Sequence, residues 1–236
     1  MIQTKKDLKE YLAAERILNA KQMALFFFAR LFAIGPAEGW NEQRLLSTYR
    51  KCEYFLNNKS KSCVYHFFSL LYGVLYHHYA QKLNIYLSIN TIGKGLRLYH
   101  IYKTQTILQA EIGENVIIRP GVILANQGNF RTHNIGPTIG DYVEFSFGVK
   151  IFGPIKVGRG CIINANSVVM SNVPPYAIVV GNPAKIVGFT KTPEQAMEFE
   201  KLRYELSNRT PFEVLKKNYE QYYLDRLDDI RGLICM

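Results

Sequence analysis

The chain has 236 residues, 48% of them apolar, with 29 Lys and Arg against 19 Asp and Glu and a net charge of +10. That composition supports one large domain, or one core with helical additions. The charge admits ordinary solubility, a phosphate-bearing cofactor, an anionic glycan or a lipid. It sets nucleic acid aside as a partner, because neither a reader motif nor a dense basic stripe is present.

The start "MIQTKKDLKEYL" lacks the apolar core of a signal peptide, so a cytoplasmic location is expected. Residues 4–82 are predicted to be helical. Thr4 has capping character, and Tyr11, Leu12, Ile17 and Leu18 recur on one helical face. Breaks are expected around 35–43 ("GPAEGWNEQ") and at Asn57 to Ser60, followed by a third helix from Ser62 to Leu83. The stripe Phe67, Phe68, Leu71 and Leu75 on that helix reads as core or subunit interface rather than as a cofactor box. The aromatic runs "ALFFFARLF" and "VYHFFSLLYGVLYHHY" fall short of the roughly 18–20 residues needed to cross a bilayer. Peripheral contact with a membrane surface is an open alternative to packing between subunits.

From Ile112 onward an aliphatic or aromatic side chain recurs every sixth residue. The series is Ile112, Ile118 and Leu124, then Ile139, Phe145, Ile151, Val157, Ile163 and Val169, often followed by glycine. A six-residue period fits neither a helix nor an ordinary strand. It is the signature of a parallel β-helix in which three hexapeptides make one triangular coil. The segment 126–137, "NQGNFRTHNIGP", interrupts the rhythm and is expected to leave the prism as an exposed loop. Pro174, Pro175 and Pro183 stop the regular structure. "TPEQAMEFEKLRYEL" and "TPFEVLKKNYEQYYLDRL" are predicted as two charged helices opened by Thr-Pro, placed to cover the open end of the prism. The domain limits are thus 1–84 helical, 85–189 β-helix and 190–236 a helical extension. Cys52, Cys63, Cys161 and Cys235 are scattered with no CxxC pair and read as reduced and structural.

Of the five histidines, His100 and His133 fall within the coil segment. A neutral imidazole at His100 suits general-base removal of a proton from a hydroxyl that attacks a thioester. A buried, hydrogen-bonded histidine at a coil position reads equally well from the residues alone. Zinc lyase chemistry needs three imidazoles on one metal, more than the repeats supply, so no metal is expected. A non-catalytic scaffold that binds a partner through its aromatic helices is the remaining class.

"IGKGLRLYH", "IGENVIIRPGVILAN" and "PTIGDYVEFSFGVKIFGPIKVGRGCIINANSVVMSNVPPYAIVVGNPAKIVG" resemble the serine acetyltransferase branch of the hexapeptide-repeat acyltransferases. The ending "VPPYAIVVGNPAKIVG" resembles the CoA-dependent members most specifically. The start "TKKDLKEYLAAERI" with "YRKCEYFLNN" looks more like a sub-branch associated with bacterial surface polysaccharide synthesis.

The resemblance implies a left-handed coil, a homotrimer and acetyl-CoA in the groove between adjacent prisms. It implies His100 as the catalytic base and His133 as the counterpart of a second active-site histidine, with Tyr99 and Arg131 on the acceptor side. Gly148, Ala165 and Ser167 would line the pantetheine groove, Gly181, Asn182, Pro183, Ala184 and Lys185 would form the terminal loop, and Lys150 and Lys185 would meet the CoA phosphates. In serine acetyltransferases the residue before the catalytic histidine is an aspartate, and another lies upstream. Here Tyr99 takes the first place and "NIYLSINT" contains no acid. A serine ammonium favours a nearby carboxylate and a sugar hydroxyl does not. The expected reaction is therefore acetyl transfer from acetyl-CoA to a carbohydrate acceptor, a sugar hydroxyl of a surface polysaccharide or its precursor. Serine O-acetylation is the alternative, and His100 would be oriented by a backbone carbonyl, by Glu111 or by a neighbouring subunit.

Overall fold

The computed structural model describes residues 1–16, 39–100, 105–126, 135–191 and Gln195. Three α-helices, and a 3-10 turn over Lys59–Lys61, precede the strands among these residues. Helix α1 (Lys5–Ala14) opens on a capping box: the Thr4 hydroxyl accepts from the Asp7 N–H at 3.1 Å, and the Asp7 carboxylate accepts from the Thr4 N–H at 2.8 Å. It ends at Ala14, so the expected continuation through Ile17 and Leu18 lies outside the described residues. Helix α2 (Trp40–Asn57) starts directly after Gly39, whose φ of 85° only glycine adopts without strain, so the predicted break over 35–43 closes at Gly39. Helix α3 (Cys63–Leu83) is capped by the Ser62 hydroxyl and stops at Asn84 in a left-handed conformation. No helix among the described residues is long and apolar enough to cross a membrane. Of the predicted stripe, Phe67 is 61% exposed and Leu71 39%.

The described residues between 85 and 189 wind into a left-handed parallel β-helix with three faces. One face carries β1 (Ile85–Leu87), β3 (Thr106–Leu108), β6 (Ile123–Ala125), β9 (Lys150–Phe152) and β12 (Val168–Val169). The second carries β4 (Glu111–Ile112), β7 (Thr138–Ile139) and β10 (Lys156–Val157). The third carries β2 (Arg97–Leu98), β5 (Ile117–Ile118), β8 (Glu144–Phe145), β11 (Ile162–Ile163), β13 (Ala177–Gly181) and β14 (Ala184–Phe189). All pairings are parallel except β13 with β14, a hairpin whose antiparallel strand covers the last coil's edge. The helices predicted for that task over 190–236 lie outside the described residues, apart from Thr190, Lys191 and Gln195.

The six-residue rhythm has a steric cause. Each periodic residue, such as Ile118, Phe145 or Ile163, points into the prism and is fully buried. The residue two before it, Val116, Val143 or Cys161, is buried too, and the one between faces outward. Cys161 is packed inside, with burial pushing its thiol up to about 12. Glycine after a periodic residue keeps successive coils in contact: a Cβ on Gly140 would lie 2.6 Å from the Arg159 backbone nitrogen.

Two interruptions occur rather than one. The predicted loop over 126–137 lies mostly outside the described residues; β7, after it, pairs directly with β4, so the coils on either side of it stack in register. A second, shorter one separates Leu98 from Leu108, where ten positions replace the usual six. The exposed edge of the first coil is satisfied by the helices. Arg50 Nη1 donates to the Ile92 carbonyl at 2.9 Å and Nη2 to that of Gly93 at 2.6 Å. The Glu53 carboxylate accepts from the Asn90 N–H at 2.7 Å, and the Tyr49 hydroxyl donates to the Ser88 carbonyl at 2.7 Å. Arg50 is completely buried and also pairs with Glu15 and Glu53.

Candidate active site

The turns between faces follow one rule, and His100 breaks it. In nine turns among the described residues a left-handed residue sits three positions after the inward-pointing one, for example Asn115 after Ile112, Gly121 after Ile118, Gly148 after Phe145 and Asn166 after Ile163. At His100 (φ 54°), Gly153 and Gly181 it sits only two positions after, and His100 alone of the three carries a side chain. A left-handed conformation costs a non-glycine residue about 1–2 kcal/mol, and such strain concentrates at functional sites. Of the two readings left open by the sequence, a general base and a buried histidine, burial does not hold: Leu98 fills the prism, and His100 is exposed at the corner where the shorter interruption begins.

That corner runs up one edge of the molecule. The residues two places beyond the inward position on successive strands of the third face are His100, Pro120, Phe147, Ala165 and Gly181. At the usual spacing of about 4.8 Å per strand, Gly181 stands roughly 19 Å above His100. Gly148, Ala165 and Gly181 are thus brought onto one edge with His100. Ala165 is exposed, while Gly148 keeps the edge narrow, since a Cβ there would strike the Asn166 side chain. Asn182 and Pro183, joined by a cis peptide, form the exposed turn between β13 and β14 at the top of this edge, with Ala184 and the exposed Lys185 following on β14. Lys150 begins β9, and its ammonium donates to the Gly148 carbonyl at 3.1 Å.

Ser167 departs from the expectation. It is fully buried inside the prism, where its hydroxyl accepts from the Gly181 N–H at 3.1 Å, so it supports the groove from within rather than lining it. Tyr99, 44% exposed, flanks the imidazole with ring centroids 6.2 Å apart. His133 and Arg131 lie outside the described residues. Glu111, considered above as an orienter, belongs to β4 on the second face and not to this corner. Glu144, on the third face, forms an ion pair with Arg119.

One residue of the corner was missed. The Phe147 ring lies nearly parallel to that of His100, 13° between planes and 6.5 Å between centroids, and is 47% exposed. The only sequence signal for it is an aromatic residue in "VEFSFGVK" at an outward corner position.

Over 98 residues the chain is 40% identical to a serine acetyltransferase of Mycobacterium tuberculosis, covering 40% of this chain and 42% of that one. It is 38% identical over 109 residues to serine acetyltransferase 4 of Arabidopsis thaliana, covering 46% and 30%. Among solved structures, soybean serine acetyltransferase complexed with serine superposes with a TM-score of 0.51 at 26% identity, over 77% of this chain and 68% of that one. The coil segment is a hexapeptide-repeat domain similar to that of serine acetyltransferases. The Vibrio cholerae serine acetyltransferase shares the fold, with a TM-score of 0.52 at 24% identity over 80% and 68% of the two chains. The chain spans less than half the length of the curated relatives it matches. No family model matches it. The finer resemblance to polysaccharide-modifying enzymes gains no support from these relatives, which are named for serine.

Proposed function

We propose that the chain is an acetyl-CoA-dependent O-acetyltransferase whose general base is His100 and whose acceptor is the hydroxyl of serine. The observation that carries this reading is the out-of-phase, left-handed His100, exposed at the foot of the edge that Gly148, Ala165 and Gly181 keep narrow. The imidazole takes the hydroxyl proton as the oxygen attacks the thioester carbonyl. The carbon–sulfur bond then breaks, and the CoA thiolate leaves with the proton returned from the imidazolium. The pantetheine arm would run up the edge toward the Asn182–Pro183 turn, with Lys150 and Lys185 available to its phosphates. In this reading the protein works as a homotrimer, with the groove between prisms and His133 and Arg131 contributed from the loop over 126–137. We take 1–84, 85–189 and 190–236 as its domain limits.

Serine is preferred as acceptor because the relatives are serine acetyltransferases. A sugar hydroxyl is the second reading. What favours it is Tyr99, exposed beside His100 where a carboxylate would meet a serine ammonium, together with the commitment of Glu144 to Arg119.

The test is release of free CoA from acetyl-CoA with serine, and separately with nucleotide sugars and oligosaccharides. His100→Ala is expected to lower turnover roughly 10²–10⁴-fold while leaving acetyl-CoA binding intact. Unchanged turnover in that variant removes His100 from the mechanism. Transfer to sugars but not to serine replaces the first acceptor with the second.

A further inference from the structure

We propose that the outward face of α3 docks flat on an anionic lipid surface, its exposed apolar side chains among the acyl chains and Lys59, Lys61 and Lys82 at the headgroups. From Val64 to Tyr76 the helix is largely apolar on every side, and one side is covered. Inward, Phe68 and Tyr72 stack on Phe55 of α2 with centroids 5.1 and 5.3 Å away, and the Tyr76 hydroxyl donates to the Leu87 carbonyl of β1 at 2.7 Å. Outward, Val64, Phe67, Leu70 and Val74 are each more than half exposed, and Leu71 beside them is exposed too. At helical spacing these five fall within about 120° of the circumference and run about 15 Å along the axis. A helix apolar all round is ordinarily buried all round, and a contiguous exposed patch of this kind marks an interaction surface.

Charge says what covers it. From Tyr54 to Ala110 the sequence holds six Lys and Arg and no Asp or Glu. Lys59 and Lys61, on the 3-10 turn just before α3, and Lys82, in its last turn, are exposed at the two ends of the apolar stripe. A second copy seated on the same face would bring these lysines together in either orientation, with no acid on the helix to pair them. An anionic bilayer answers both features: the lysines reach the headgroups while the side chains between them sink about 5–10 Å toward the acyl chains. The helix is not long and apolar enough to cross, so it lies along the surface.

The proposal stands apart from the acetyltransferase reading, because vesicle binding is measured without any substrate. The full chain is sedimented with vesicles of phosphatidylcholine alone and with vesicles containing one-third phosphatidylglycerol. It should pellet with the mixed vesicles and not with the neutral ones, and binding should fall as salt rises. Lys59→Gln, Lys61→Gln and Lys82→Gln together should weaken the partition about a hundredfold, at about fivefold per lysine. Phe67→Ser, Leu70→Ser and Val74→Ser together should weaken it more than about tenfold, with circular dichroism showing that the fold stands. Peptide mapping should find Cys63, exposed at the head of the same face, shielded from alkylation by the mixed vesicles. No sedimentation with mixed vesicles, equal binding to neutral ones, or binding that the three serines leave unchanged overturns the proposal. If no vesicles bind and Cys63 is shielded in their absence, the face belongs to a second copy or to residues 17–38 instead, and the proposal falls.

Discussion

Replacing Arg50 with methionine should unfold the junction between the helices and the first coil. The guanidinium is completely buried and serves four acceptors: the Glu15 and Glu53 carboxylates and the carbonyls of Ile92 and Gly93. Methionine keeps most of the volume and none of the donors. Removing one partner of a buried ion pair costs about 3–5 kcal/mol, because the other charge stays buried without compensation. Each abandoned carbonyl adds about 1 kcal/mol. A loss of roughly 5 kcal/mol corresponds to a fall in Tm of roughly 10–20 °C for a chain of this size. Urea and thermal unfolding followed by far-ultraviolet circular dichroism would measure it. Adding Glu15→Gln and Glu53→Gln to the same chain should recover a large part of the loss, since no buried charge is then left alone. A loss under about 1 kcal/mol for Arg50→Met would refute the argument that this cluster holds the helices to the coils.

Burial pushes the Glu15 carboxyl above its ordinary value of 4.5, with the attraction of Arg50 offsetting only part of that. The folded chain therefore holds this proton more tightly than the unfolded one. The stability it contributes is full below 4.5 and declines as pH rises from there through the raised folded value. Glu15→Gln should flatten this part of the curve, measured as urea midpoints across the acid range. Gly140→Ala should destabilise by about 1–3 kcal/mol, because the added methyl meets the rigid backbone of Arg159 rather than a movable side chain; a neutral result in urea unfolding would contradict the stacking distance. Peptide mapping after brief thiol alkylation of the native chain should find Cys63, exposed on α3, modified well before Cys52 and Cys161. Those two are buried, with thiols pushed up to about 11 and about 12.

The β-helix was legible because one steric demand, an apolar residue facing the axis once per side, repeats without exception from Ile139 to Val169. The break at Leu98 to Leu108 was not, since its residues are no more polar than those of a coil and only pairing shows the four additional positions. The same break sets the phase of His100, so its position at a corner followed from backbone conformation that no residue type announces. Ser167 was misread as lining the groove because a small polar residue serves equally well outside a prism or inside it, and only the Gly181 N–H it satisfies decides between them. Phe147 escaped notice because spacing marks it as outward, and the contact it makes crosses two coils.

The two ends of the prism are closed by different means. At one end Arg50, Glu53 and Tyr49 answer the amides and carbonyls of the first coil one by one; at the other, β14 runs back along β13. A solenoid with bare termini is a template on which identical molecules pile up indefinitely into filaments. Here the side chains of α2 occupy backbone groups of the first coil, and on the third face the reversal at Asn182–Pro183 replaces a parallel edge with an antiparallel one, so neither offers the coil's own register to a second prism. The homotrimer proposed above needs contact of the other, lateral kind, between the flat faces of neighbouring prisms.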